Sequence, residues 1–183
     1  MDPAAFAQSF PNQKLPLELE KLLAFDQQSN DYYSDGFELC DYPPDELSNW
    51  SEEREFLSKL VPFAQANGSG SIYALWFFRD GLDPSAAPVV VFGDEGGMHV
   101  VTENLRSLLQ VLAFDSEPMI DWEGVTFYKS DDHEPSKRAE EYATWLKAQF
   151  DLSPVQDADA LVAAAQQAHK AAFDAWVKAF VSS

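Results

Sequence analysis

Eight consecutive residues, "SIYALWFF" (Ser71–Phe78), carry no charge and follow the turn-forming "NGSGS". A run this short and this apolar reads as a strand covered on both faces rather than as a helix. Alternation sends Ile72, Ala74, Trp76 and Phe78 one way and Tyr73, Leu75 and Phe77 the other. A sheet built on such a strand needs apolar cover above and below.

The neighbouring segments supply a sheet and its cover. "PVVVFG" is a β-branched strand, "DEGG" a turn and "MHVV" a shorter strand, together an antiparallel hairpin. "KLPLELEKLLAF" reads as a first helix after a frayed N-terminus, with Pro16 in its first turn and Leu15, Leu19, Leu22 and Leu23 on one side. "EEREFLSKL" reads as a short helix turning Phe56, Leu57 and Leu60 inward, which Pro62 ends or kinks. "TENLRSLLQVLAF" is a helix capped by Thr102, with Leu105, Leu108, Leu109 and Leu112 as its stripe. "DWEGVTFYK" reads as a late strand. Two helices close the chain: "SKRAEEYATWLKAQF", and "DADALVAAAQQAHKAAFDAWVKAF" with Leu161, Ala165, Ala168, Ala172, Trp176 and Phe180 inward. No repeat or linker interrupts residues 1–183, so they read as one domain of α+β class, an antiparallel sheet packed by helices.

Charge narrows the function. Twelve basic residues against 31 acidic ones give a net charge of −19. Nucleic-acid binding needs a lysine and arginine footprint that is missing, and anionic lipid would be repelled. A chain this acidic attracts cationic partners. No apolar run approaches the roughly 20 residues of a membrane span. "MDPAAFAQSF" lacks the features of a secretory signal, and Cys40 is the single cysteine. The expected location is the cytoplasm.

From Asn30 to Trp50 the sequence "NDYYSDGFELCDYPPDELSNW" contains no lysine or arginine. A disordered linker would be poor in aromatics, and this segment is rich in them. A calcium loop starting at Asp31 fails, because Tyr33 and Tyr42 stand at its third and twelfth positions. Two readings remain: a structured acidic surface that contacts a partner, or a loop whose aromatics pack on the core while its acids are solvated. The first would use Tyr32, Tyr33, Asp35, Glu38, Asp41, Asp45 and Glu46, with Asp94 and Glu95 from the hairpin turn. Tyrosine suits that role because it buries a large apolar area and keeps a polar tip.

"GSIYALW", "VVVFGDEGGMHVV" and "ENLRSLLQVLA", with "LPLELEKLLAF" upstream, resemble the SUKH superfamily: a glycine-led aromatic strand, a strand–turn–strand and a leucine-rich helix. The resemblance is clearest from about Gly68 to Ala113. It implies a non-enzymatic binding module, most often an immunity protein that neutralises a cognate bacterial toxin by direct contact. Other members are regulatory scaffolds, so a partner that is not a toxin is the alternative. Many of the opposed toxins are nucleases with basic surfaces, which an acidic inhibitor suits.

Catalysis and cofactors find little support. His99, His133 and His169 show no ligand-pair spacing. "SDDHEP" (Asp131, Asp132, His133, Glu134) reads as a helix entry rather than a metal site. "GSGSIY" lacks the third glycine of a dinucleotide fingerprint, and Asp94 and Glu95 would repel a phosphate at "FGDEGG". The expectation is no catalytic residue, no metal and no cofactor; a small-molecule enzyme ranks third.

Overall fold

The computed structural model describes residues 1–10 and 14–181. Five antiparallel strands lie in sequence order: β1 (Glu38–Leu39), β2 (Leu60–Gln65), β3 (Ile72–Trp76), β4 (Val89–Phe92) and β5 (Met98–Thr102). A separate hairpin pairs β6 (Pro118–Ile120) with β7 (Val125–Phe127). The helices are α1 (Pro3–Gln8), α2 (Leu17–Asp26), α3 (Arg54–Ser58), α4 (Leu105–Leu112), α5 (Ala139–Phe150) and α6 (Ala158–Phe180). The class is α+β.

Strand β3 is buried at every position, and its two faces enter two cores. Tyr73 and Leu75, with Val89, Val91 and Val101, meet Leu19, Leu22, Leu108, Tyr142 and Leu146 from α2, α4 and α5. Ile72, Ala74 and Trp76, with Val90, Phe92 and Val100, meet Phe56 of α3 and Phe173 of α6. Trp176 stacks on Phe56 at 4.9 Å and closes that layer. The strand ends at Trp76, so the alternation stops short of Phe78, which is 41% exposed and lies against the His169 ring.

Other elements depart from expectation for identifiable reasons. "LVPFAQ" is strand β2: helix α3 stops at Ser58, so Leu60 and Pro62 stand in a strand rather than at the end of a helix. Phe77 N–H donates to Lys59 C=O (2.8 Å), so period-two alternation turns the backbone groups of Leu60 and Pro62 away from β3. Short β1 pairs only with Ala64 and Gln65, and a bulge separates Pro62 from Ala64. Proline therefore stands where no ladder donor is needed.

Helix α4 is capped by Asn104, whose side chain accepts Ser107 N–H (3.0 Å), while Thr102 ends β5. The N-terminus is not frayed: Asp2 caps α1 through Ala4 N–H, and Phe6 is fully buried. In α6 Ala158, Val162, Ala165 and Phe173 are buried, and Leu161, Trp176 and Phe180 pack half-buried on the cores as expected, but Ala168 and Ala172 are exposed. Alanine contrasts weakly with a surface, and the bulky side chains set the phase.

Trp76 is 2% exposed, and its indole N–H meets no acceptor among the described residues. Trp76→Ala should lower unfolding stability by about 3–5 kcal/mol. Trp76→Phe should cost clearly less, because it also removes an unpaired buried donor. Thermal or urea unfolding of both variants checks the order; equal losses would contradict it.

Candidate partner-binding face

The acidic segment holds its shape through two buried polar anchors. Asp115 follows α4 with φ +57 and is 2% exposed. Its carboxylate accepts Asp35 N–H (2.9 Å), Ser136 N–H (2.8 Å) and Ser136 Oγ–H (2.6 Å), and faces His133 Nε2 at 3.3 Å. A buried carboxylate needs such a ring of donors. The second anchor is Arg138. Its backbone N–H donates to Tyr32 C=O, and its guanidinium bonds Phe25 C=O (3.1 Å) and Glu141 (2.8 and 3.2 Å). It also lies 4.2 Å over the Phe25 ring. Lys137 pairs with Asp31 at 2.7 Å. The "SDDHEP" histidine thus faces Asp115.

Packing separates the segment's aromatics from its acids. Tyr33 is a correction to the expected face: it is 3% exposed, stacked on Tyr142 at 5.0 Å and edge-on to Phe25 at 5.4 Å. It fills the core between α2 and α5, and only its edge reaches the floor of the neighbouring cleft. Phe37 is buried in the same core, and Tyr42 and Trp50 pack on the opposite one. Tyr32 alone points out, 54% exposed. It lines a cleft of about 460 Å³ with Asp26, Asp31 and Glu38. Burial pushes the Asp26 carboxyl above the ordinary range, while the Lys137 ammonium holds Asp31 below it.

The remaining acids fall at two ends of the sheet. Asp35 and Glu38 lie at the end carrying the turns between β2 and β3 and between β4 and β5, since Glu38 stands opposite Gln65. Asp94 and Glu95 occupy the second turn, on the order of 14 Å from β1 across three strand spacings. Asp94 accepts hydroxyl donors from Ser69 (2.8 Å) and Ser71 (2.7 Å), and its own N–H returns to Ser71 Oγ, so it splices the two turns. The Ser71 hydroxyl holds its carboxyl below the ordinary range. Glu117 ties Gly36 to the same end: it accepts Gly68 N–H (3.0 Å) and lies over Gly36, which has φ +65. Asp41, Asp45 and Glu46 instead follow Cys40 toward the opposite end, where Asp45 lies beside Arg54, Leu57 and Leu60.

Three large exposed side chains complete the turn end: Trp122 (77%), Tyr128 (68%) and Met119 (58%). In the β6–β7 hairpin Met119 opposes Thr126, which places Tyr128 diagonally beside it on the outer face. The Trp122 ring covers Gly96, where an added Cβ would run into the indole, and so stands next to Glu95. His99 braces the hairpin, its Nε2 2.7 Å from Asp121 C=O. The late-strand reading of "DWEGVTFYK" held the signal: with Val125 and Phe127 inward, Thr126 and Tyr128 must face out.

Among the described residues no group of three or more His, Cys, Asp and Glu side chains is placed to hold a metal, and no helix is long and apolar enough to cross a membrane. No family model, curated protein or solved structure matches the chain.

Gly36→Ala should destabilise the protein by about 1–2 kcal/mol from left-handed strain, with an added clash against Glu117. Gly36→Ala with Glu117→Ala should recover the clash alone; chemical unfolding of the single and double variants measures the difference. Asp94 supplies a second expectation. Its folded pKa is depressed, so its contribution is complete above about pH 4 and is lost as pH falls through the folded value. Asp94→Asn should flatten the acid limb of a stability–pH profile over that window, and an unchanged limb would rule the contribution out.

Proposed function

We propose that this chain is a non-enzymatic protein-binding module that neutralises a basic toxin domain by direct contact in a shared cytoplasm, as SUKH-type immunity proteins do. One observation carries the reading. At the turn end an apolar centre of Trp122, Tyr128 and Met119 lies among the exposed carboxylates of Glu95, Asp121 and Glu123. An apolar centre with a charged rim is the usual anatomy of a protein interface, and tryptophan and tyrosine carry much of the energy at such centres. The sign of the rim selects a basic partner.

The cleft at Tyr32 adds to this. Among the described residues neither Asp26 nor Glu38 forms an ion pair, although the N-terminal ammonium and Arg138 act on Asp26 from nearby, whereas Asp31 already holds Lys137. A lysine or arginine side chain of a partner fits that arrangement by size and charge. The net charge of −19 supports electrostatic capture, because long-range attraction raises the encounter rate with a cationic surface.

The test is association kinetics with the protein that co-purifies from the native host, measured across ionic strength. Glu38→Lys with Glu95→Lys should slow association and flatten its salt dependence. Trp122→Ala should instead raise the dissociation rate about 30-fold, close to 2 kcal/mol. Binding indifferent to both changes would sink the assignment of this face.

A further inference from the structure

We infer that the cleft at Tyr32 reads arginine: it takes one guanidinium of the protein partner between Asp26, Glu38, the Tyr32 ring and the Tyr33 hydroxyl. This assignment rests on the reading of the chain as a binder of basic proteins and names the group that one of its surfaces selects. The cleft, of about 460 Å³, lies between the end of α2, the turn that follows and β1. Asp26, Asp31 and Glu38 line it, and none of its lining residues is a lysine or an arginine.

Three carboxylates alone define no site; the floor of the cleft supplies what points to a ligand. Tyr33 is 3% exposed and reaches the cleft, and its hydroxyl has no hydrogen-bond partner among the described residues. It sits close enough to Asp26 for each group to bias the other's titration, yet it does not bond it. A buried hydroxyl left unpaired costs stability, and its oxygen can accept an N–H from an occupant. Asp26 is also short of a partner. Burial raises its carboxyl above the ordinary range; the Met1 ammonium, Arg138 and Tyr33 oppose that shift, and Glu38 adds to it by repulsion. Arg138 is bonded to Phe25 C=O and Glu141, and Lys137 to Asp31, so neither cation pairs with Asp26 or Glu38.

A guanidinium fits these groups better than an ammonium. Its planar fork carries five N–H donors, enough for two carboxylates and a phenol oxygen together, where an ammonium has three. It is also the more weakly hydrated ion, so a half-buried cleft strips less water from it. Tyr32 supplies the remaining contact. Its C=O is fixed by Arg138 N–H (3.0 Å), and its ring is 54% exposed, open to stacking on a guanidinium face.

The probes are arginine, lysine and citrulline, each capped as the N-acetyl N-methylamide, read by amide and carboxyl shifts of the labelled full chain. Arginine should shift Asp26, Tyr32 and Glu38 and bind about tenfold tighter than lysine. Citrulline, which keeps the shape without the charge, should not bind. A bound guanidinium favours the ionised Asp26, so its carboxyl signal should titrate at lower pH when arginine is present. Tyr33→Phe separates a ligand group from a structural one: the folded chain should be at least as stable, while arginine binds about fivefold more weakly. Equal affinity for lysine, arginine binding untouched by Tyr33→Phe, or no shift at the cleft in large probe excess would each overturn the inference. So would agmatine, a free guanidino amine, binding far more tightly than capped arginine, which would make the cleft a small-molecule site. A co-purified partner weakened by Trp122→Ala but held equally well by Asp26→Asn with Glu38→Gln would leave the proposed function standing and remove this cleft from it.

Discussion

The obligation to bury both faces of β3 organises everything around it. Tyr73 and Leu75 on one side and Ile72, Ala74 and Trp76 on the other cannot be left wet, since each large apolar side chain contributes about 1.5–3 kcal/mol on full burial. The chain meets the demand in two instalments. Helices α2, α4 and α5 close the first face, and α6 with short α3 closes the second. The acidic segment serves both, sending Tyr33 and Phe37 to one core and Leu47 and Trp50 to the other. Its order follows from the sheet's need for cover.

That division of labour also explains how so many carboxylates are tolerated. Asp31, Glu38, Asp41 and Asp45 stay exposed, where water screens their mutual repulsion. The deeply buried Asp115 accepts three hydrogen bonds, faces the His133 ring and joins three separated segments. Arg138 does the converse with a cation, linking Phe25, Tyr32 and Glu141. Removing one partner from either cluster leaves a charge in a low-dielectric setting, which costs more than the bonds themselves contribute. Fixed polar anchors thus hold an outer surface that is electrostatically strained.

The sheet was legible because its signals are local. "SIYALWFF" and "PVVVFG" announce buried strands by composition, and the split of β3 into two faces follows from alternation alone. Strand β2 was hidden because Pro62 is excluded from central ladders unless the neighbouring strand stops short, and only the tertiary pairing reveals that β1 does. The phase of α6 was obscured by alanine, which packs or faces water with little energetic contrast. Tyr33 shows the limit most clearly. Tyrosine is equally at home in an interface and in a core, and Tyr142 and Phe25, which decide between them, lie far away in sequence or behind a turn. Trp122 inverts the case: a tryptophan beside a turn looks buried by type, yet the Gly96 backbone offers it a shelf rather than a pocket.

Once the aromatics of the acidic segment are assigned to the core, the physics of recognition divides between two kinds of surface. Exposed carboxylates accelerate encounter but hold a partner weakly, because water and salt compete at every contact. Durable binding needs desolvated area, and among the described residues the turn end carries large exposed apolar side chains at Trp122, Tyr128 and Met119. On the proposed reading, the exposed carboxylates of Glu38, Asp41 and Asp45 would act on the encounter and the apolar centre on the residence. A merely basic protein with no apolar complement to that centre would gain the encounter without the residence.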